Sequence, residues 1–369
     1  MNTIHRALRA GRVQTGFSLV ELMVALAISM FLVIGIIQLF VGSKQTYRFY
    51  DALSRLQENG RFALGLMAQD IRMAGYYGCS SAAVNIKNNL NTPTAYFWNF
   101  TQPIQGFEST AANTWAPTLD ASILNPSTQG NADVITVRGV DGAGMAVLAH
   151  GGGVNDPRVT SGFASCDVAA ISTCQAVSIF QVTGTAAAAA IAGNPGPPAV
   201  PSIPAGITLA HTATTPTCTN SAPGNAENNL GPVNYAGGEI APVSTKSYYL
   251  RNGASGRLAL WRRAGAMPSQ EIVEGVERMQ ITYGVDTAPT GVPPRPTVAR
   301  NYVAANAVTN WNNVVSVRVD LLLASLEDNV VTNPQSVVFP AATGVMVTVN
   351  DRRVRQGFST TVAIRNRLP

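Results

Sequence analysis

The sequence predicts an α+β fold in which one long N-terminal helix packs against antiparallel β-sheets joined by long loops. Three observations lead to this class. An apolar stretch near the N-terminus passes directly into an amphipathic helical pattern, and much of the remaining chain contains short runs that alternate with a period of two. Glycine and proline, with 33 and 22 residues, are also frequent enough to supply long connections. The 369 residues suffice for one or two domains with real cores.

Residues 17–42 are long and apolar enough to cross a bilayer, and Glu21 is the only charged residue among them. A helix of this length reaches about 39 Å, which exceeds the ~30 Å hydrocarbon core of a membrane. A plain N-terminal anchor is the simplest interpretation. However, an unpaired carboxylate inside such a segment is costly. The sequence therefore predicts that Glu21 finds a partner that a plain anchor does not provide.

The helical pattern continues beyond the apolar segment and predicts a single helix over residues 18–74, with Gly75 as a stop signal. Its second half, residues 43–75, is amphipathic, and we expect its apolar stripe to pack against the body. The stripe recurs at spacings of three and four residues and comprises Leu53, Leu56, Gly60, Ala63, Met67, Ile71 and Ala74.

Residues 76–369 are expected to form a β-rich globular body. Alternating or β-branched runs predict strands over residues 132–140, 176–184, 277–285 and 313–325, and two more candidate strands lie between residues 344 and 367. Residues 247–263 predict a hairpin around Asn252 and Gly253. Residues 184–246 are rich in alanine, proline, threonine and glycine, and they predict a long surface-loop region.

The four cysteines, Cys79, Cys166, Cys174 and Cys218, form no CxxC pair, and only three histidines accompany them. A zinc site is therefore not expected, and disulfides formed in an oxidising compartment fit better. Three pairings are possible. We favour Cys166–Cys174, which would close a short hairpin-like loop, and then Cys79–Cys218 by elimination.

A short basic leader ends at Gly16 and is followed by Phe17, Ser18, Leu19, Val20, Glu21 and Leu22. This motif resembles the class III signal of type IV prepilins and type II secretion pseudopilins. The resemblance implies that a prepilin peptidase/N-methyltransferase removes residues 1–16 by cutting between Gly16 and Phe17, and then methylates Phe17. Glu21 would face the N-terminal amine of a neighbouring subunit in the filament. The chain would cross the bacterial inner membrane once, with a periplasmic body.

Further segments resemble the PilW family of type IV pilus minor pilins, namely "QENGRFAL", "DIRMAGYYGC", "VEGVERMQITYGVD", "WNNVVSVRVDLLLAS" and "FSTTVAIRNR". This resemblance implies a pilin-like fold and a minor pilin that initiates pilus assembly. The implied partners are other minor pilins and a large adhesin-like protein in a priming complex at the pilus tip on the cell surface, with the major pilin adding beneath. A J-type pseudopilin of type II secretion is the alternative. An adhesive or ligand-binding module on a pilin anchor is an alternative of a different class.

No enzymatic activity, cofactor or metal site is expected. His150 and the three glycines after it match an oxyanion-hole motif, but the sequence contains no GxSxG nucleophile motif to accompany it. The basic cluster near the C-terminus lacks interleaved aromatic residues, so we favour an exposed strand pair over a nucleic-acid surface, and no nucleic-acid partner is expected. The cluster comprises Arg352, Arg353, Arg355, Arg365 and Arg367.

Overall fold

A computed structural model describes residues 16–79, 86–111, 113–123, 132–193, 202–213, 218, 223–288, 298–340 and 344–367. Its α-helix α1 (Leu19–Arg72) agrees with the helix predicted over residues 18–74. Ser18 caps α1, because its hydroxyl accepts the backbone N–H of Glu21 at 3.1 Å. After α1 the chain turns at Gly75, whose φ of +74° favours glycine. Residues 1–15 of the predicted leader lie outside the described residues.

The body contains nineteen described strands and three short 3₁₀ helices, at Ala305–Ala307, Trp311–Asn313 and Arg365–Arg367. The strands are β1 (Ile86–Asn88), β2 (Ile104–Ala111), β3 (Thr114–Ala116), β4 (Val134–Val140), β5 (Met145–Ala146), β6 (Arg158–Val159), β7 (Val168–Ser172), β8 (Val177–Gln181), β9 (Gly184–Ala188), β10 (Gly206–Ala210), β11 (Glu239–Asn252), β12 (Leu258–Ala264), β13 (Gln270–Glu274), β14 (Val276–Val285), β15 (Asn301–Val303), β16 (Val314–Ala324), β17 (Ser336–Val338), β18 (Met346–Thr348) and β19 (Arg355–Ala363).

Two larger sheets organise these strands. A ten-stranded sheet has the order β1-β8-β7-β11-β4-β2-β3, and the long β11 also pairs with β5 and β12, which in turn pairs with β13. Its ladders are antiparallel except for the β1–β8 pair. The four-stranded sheet β15-β14-β16-β19, here called the C-terminal sheet, is antiparallel throughout. Strands β6, β10 and β9 form a small sheet, and β17 pairs with β18 in a two-stranded ribbon.

The second half of α1 packs on the C-terminal sheet, and this contact forms the main core. Most of the predicted stripe is buried: Leu56, Gly60, Ala63, Met67, Ile71 and Ala74. On the sheet side, Met279, Ile281 and Tyr283 of β14 are fully buried on one face, as their alternation predicts. In strand β16, Leu322 is also fully buried and packs with Phe339 on the opposite side of the sheet. The sheet is therefore covered on both faces.

The prediction of a long loop over residues 184–246 is wrong in part. Strand β9 lies in this region and pairs with β10, with Ala187 opposite Ile207, and β11 begins at Glu239. Alanine has a low strand propensity, so local composition predicts no strand at residues 184–188. The strand forms because β10, about twenty residues further along the chain, supplies its hydrogen-bond partners.

The predicted disulfide pairing is also wrong. The structure joins Cys79 to Cys174 and Cys166 to Cys218, over sequence separations of 95 and 52 residues. The expected Cys166–Cys174 loop does not form because strand β7 runs between these two residues. The five extended residues of β7 alone span about 16 Å, far more than a disulfide bridges. Cys79, just after α1, instead meets the far end of β7.

A buried carboxylate joins the two larger sheets. Asp133, just before β4, accepts the backbone N–H groups of Ser109 at 2.9 Å and of Ile281 at 2.8 Å. It also accepts an N–H from the Gln280 side chain at 2.7 Å. Burial first, and then the nearby Glu108, raise the pKa of Asp133 to about 8. This contact links the end of β2 and the start of β4 to β14 of the C-terminal sheet.

Candidate assembly interface

The predicted processing and assembly residues lie together at the free end of α1. Phe17 is 82% exposed, and Glu21 is an exposed residue of the first helical turn. A carboxylate at this position is favoured by the positive end of the helix dipole. No salt bridge to Glu21 occurs within the described part of the chain. The side chain is thus available to a group outside the subunit.

The first half of α1 projects from the body with all of its apolar residues exposed. Every large hydrophobic side chain from Phe17 to Val41 is at least 42% exposed. This part of the helix meets the length and composition required of a membrane span. A continuous apolar surface of this size is far larger than a soluble monomer exposes. It therefore needs lipid or other helices around it.

The second half of α1 is held to the body by a polar latch as well as by packing. Asp70 accepts hydrogen bonds from Lys246 Nζ at 2.9 Å and from Tyr248 Oη at 2.5 Å, both on β11. Burial alone would lower the pKa of Lys246, but Asp70 and Asp141 raise it. Burial and then Asp70 raise the pKa of Tyr248. Sequence reasoning missed Asp70, although its place between Met67 and Ile71 of the buried stripe was a usable signal.

Three of the five C-terminal arginines are buried, whereas the sequence favoured an exposed strand pair for this cluster. Arg353 and Arg355 have side chains only 5% and 2% exposed, and both bond to Glu277, at 2.6 Å and 2.7 Å respectively. Arg367 is also buried and donates to the carbonyl of Trp311 at 2.7 Å. Burial lowers its pKa to about 10. The remaining two arginines of the cluster are exposed. These ion pairs could not be predicted from local sequence, because Glu277 lies more than seventy residues from both arginines.

The His150 motif stabilises a loop. His150 Nδ1 accepts the backbone N–H groups of Gly152 and Tyr235, each at 3.1 Å, and the imidazole packs beside the Tyr235 ring. Gly152 and Gly153 take positive φ values of 80° and 62°, which explains the glycines. Among the described residues, no group of three His, Cys, Asp or Glu side chains could hold a metal ion.

Two family models match this chain. Residues 247–366 match the family described as Type IV Pilus-assembly protein W. Residues 11–37 match the Prokaryotic N-terminal methylation motif. The two matches confirm the resemblance inferred from the sequence. Together with the long helix on antiparallel sheets, they also support the predicted pilin-like α+β class and are typical of a structural protein.

Comparisons with whole proteins add less. The type IV-like pilin TTHA1219 from Thermus thermophilus has a solved structure that is similar over 85% of this chain and 98% of its own. Only 11% of the aligned residues are identical and the TM-score is 0.32, so this similarity supports no conclusion about function. No curated protein is significantly similar to the chain.

Proposed function

We propose that this chain, which matches the PilW family model over residues 247–366 and the N-terminal methylation motif over residues 11–37, is a minor pilin that helps to initiate type IV pilus assembly. In this proposal it acts within a priming complex of minor pilins at the filament tip. The observation that carries the proposal is the division of α1 into two halves. The first half offers an apolar surface and one exposed carboxylate to its surroundings, and the second is locked into the body.

Glu21 gives this division its specificity. After processing between Gly16 and Phe17, the mature chain begins with the cationic amine of Phe17. When such helices bundle with an axial offset, the Glu21 carboxylate of one subunit faces that amine in another. Each charge is costly in a membrane and the pair relieves both, so neighbours in the wrong register leave two charges unpaired. The pair therefore selects the register more than it adds stability.

The proposed partners follow from this arrangement. A prepilin peptidase/N-methyltransferase processes the leader while the subunit is anchored in the inner membrane with its body in the periplasm. Other minor pilins and a large adhesin-like protein then bundle with it, and the major pilin adds beneath them. In the assembled pilus, the body is located at the tip, on the cell surface.

Replacement of Glu21 tests the proposal. Glu21→Gln keeps the size of the side chain and one accepting oxygen but removes its charge. We expect this variant to be processed and anchored normally, and to support far fewer pili than the unaltered protein. Ser29→Ala is the matched control, because the Ser29 hydroxyl donates to the carbonyl of Ala25 within the same helix. Normal piliation with Glu21→Gln would contradict the role of the charge.

Deletion of the gene distinguishes the remaining functions. Loss of pili supports the proposed role in assembly. Normal pili with lost attachment would instead support an adhesive module, and lost protein secretion with intact pili would support a J-type pseudopilin. Complementation with the unaltered chain and with Glu21→Gln in the same strain controls for effects on neighbouring genes.

A further inference from the structure

The ten-stranded sheet separates two different environments at strands β2 and β4. On one face, Ile135 and Val137 of β4 belong to the main core that contains the buried stripe of α1. Residues that alternate with these two point to the other face. There Val134 of β4 packs with Phe107 of β2 and with Tyr249 in a separate hydrophobic cluster. The sheet therefore lies between this outer face and the packed half of α1.

A polar cleft of about 470 Å³ opens on the outer face. Residues of β2, of β4, of the segment before β2 and of the segment after β3 line it. Its volume is in the range of ~300–1,000 Å³ that small-molecule sites occupy, although such sites are mostly lined by apolar side chains. This cleft is lined mainly by polar ones, among them Thr94, Gln102, Gln105, Thr118, Asp120 and Arg138. A lining of this kind favours a polar ligand.

Arg138 of β4 contributes a buried positive charge to the cleft. The residue is 1% exposed, and its guanidinium donates to the carbonyl oxygens of Tyr96 and Gln102, each at 2.8 Å, and to the Gln105 side chain at 3.3 Å. Within the described part of the chain, no carboxylate forms a salt bridge with it. Arg138 thus fixes the segment before β2 over the sheet, while its charge is answered by dipoles and by the more distant Asp120.

Several groups of the cleft keep unused hydrogen-bonding capacity. One oxygen of Asp120 accepts the backbone N–H of Ser122 at 2.8 Å, and the other has no partner among the described residues. The same residues provide no partner for the amide nitrogen of Gln105 or for the hydroxyls of Thr94 and Thr118. A carboxylate only accepts, an amide nitrogen only donates, and a hydroxyl does both. The cleft therefore offers one charged acceptor together with several neutral donors.

The charges and the hydrogen-bonding groups together define the class of ligand. Arg138 attracts an anion that Asp120 repels, and the reverse holds for a cation, so the cleft favours neither sign. A ligand hydroxyl can donate to a carboxylate oxygen and accept from an amide N–H at the same time. The rings of Tyr96 and Phe107, whose centroids are 6.2 Å apart, add apolar surface to the lining. A neutral ring that carries several hydroxyls and an apolar C–H face fits this combination.

We propose that the cleft binds a neutral sugar, as a free monosaccharide or as the terminal residue of a glycan. Asp120 accepts from its hydroxyls, Gln105 donates to them, and the two threonine hydroxyls complete the contacts. Arg138 is a positioning residue, because it holds the segment that forms one side of the cleft. The site is independent of Glu21 and of the apolar half of α1, so the body gains a binding capacity separate from the proposed assembly role.

Sugar binding can be measured on the full mature chain by saturation-transfer NMR. The detergent is lauryldimethylamine oxide, because a maltoside headgroup would compete. The neutral probes are glucose, galactose, mannose and N-acetylglucosamine, and the corresponding disaccharides maltose, lactose, mannobiose and chitobiose. Glucuronate and glucosamine carry a charge on the glucose ring and serve as comparisons.

We expect at least one neutral sugar to bind and both charged sugars to bind at least several-fold more weakly than it. A disaccharide that binds more tightly than its monosaccharide identifies a glycan end as the ligand, and equal affinities identify the free sugar. No binding of any neutral probe would overturn the proposal. Equal or tighter binding of a charged sugar would also overturn it.

Asp120→Asn tests the charged acceptor. Asparagine can still accept the N–H of Ser122, but it presents an amide in place of the free carboxylate oxygen, so we expect about ten-fold weaker sugar binding. Asp167→Asn is the matched control, because Asp167 likewise accepts a backbone N–H, from Ala164 at 2.8 Å, but does not line the cleft. Equal affinities of these two variants, both with an unchanged melting temperature, would contradict the site.

A second variant keeps the test valid if Asp120→Asn unfolds. Thr94→Val combined with Thr118→Val removes two exposed hydroxyls at nearly constant side-chain size, and it should weaken sugar binding several-fold without a change in melting temperature. Piliation of a strain carrying this double variant should stay normal, since the cleft and α1 lie on opposite faces of the sheet. Unchanged sugar affinity would overturn the proposal, and lost pili would assign the surface to a subunit contact instead.

Discussion

Replacement of Gly60 by alanine tests how closely α1 packs on the C-terminal sheet. A Cβ atom at Gly60 would lie 2.7 Å from three carbon atoms of the Phe358 ring. Alanine favours a helix interior over glycine by about 1 kcal/mol, whereas overpacking a close contact costs about 1–3 kcal/mol. The balance predicts that Gly60→Ala lowers the free energy of unfolding by about 0–2 kcal/mol, because either the ring or the helix must move.

Gly65 is the matched control on the same helix. Apart from the backbone of its own helix turn, no described residue has an atom within 4 Å of where a Cβ would lie, so only the propensity term applies. Gly65→Ala should therefore raise the free energy of unfolding by up to about 1 kcal/mol. Chemical denaturation of both variants in the same detergent, followed by tryptophan fluorescence, measures the difference. Equal stabilisation by Gly60→Ala and Gly65→Ala would refute the close contact.

The rest of the body offers three further tests. Peptide mapping without reduction should recover a peptide pair linked through Cys79 and Cys174, and a pair linked through Cys166 and Cys174 would contradict the structure. Replacing both Cys79 and Cys174 with serine should lower the free energy of unfolding by about 4–5 kcal/mol, because their disulfide closes a loop of 95 residues. Glu277→Gln should lower the free energy of unfolding, measured by denaturant titration, by about 3 kcal/mol, because it removes the carboxylate shared by two buried guanidinium groups. Arg352→Ala, at an exposed position, should lower it by less than about 0.5 kcal/mol. Similar losses in the two variants would refute the buried ion pairs. Because the pKa of Asp133 is raised to about 8, the folded chain holds this proton more tightly than the unfolded chain, so stability should fall as pH rises from about 4 to about 8, by up to about 1.4 kcal/mol per pH unit. Asp133→Asn should lose that component of the slope, and identical pH profiles would exclude the effect.

Local patterns in the sequence were sufficient to predict the elements on which the proposed assembly role rests. The prepilin motif, the apolar run with Glu21 and the three-to-four-residue stripe each depend on residues close together in the chain. Helical hydrogen bonds and faces are themselves local, so periodicity predicted α1 almost to its ends. The hairpin around Asn252 and the alternating strands β14 and β19 were predicted for the same reason.

Contacts between distant residues could be decided only by the tertiary structure. The disulfides join residues across 95 and 52 positions, Glu277 neutralises arginines more than seventy positions away, and β9 exists because β10 lies beside it. A sequence lists the candidate partners for such contacts without ranking them, since the ranking depends on which groups the fold brings together away from water.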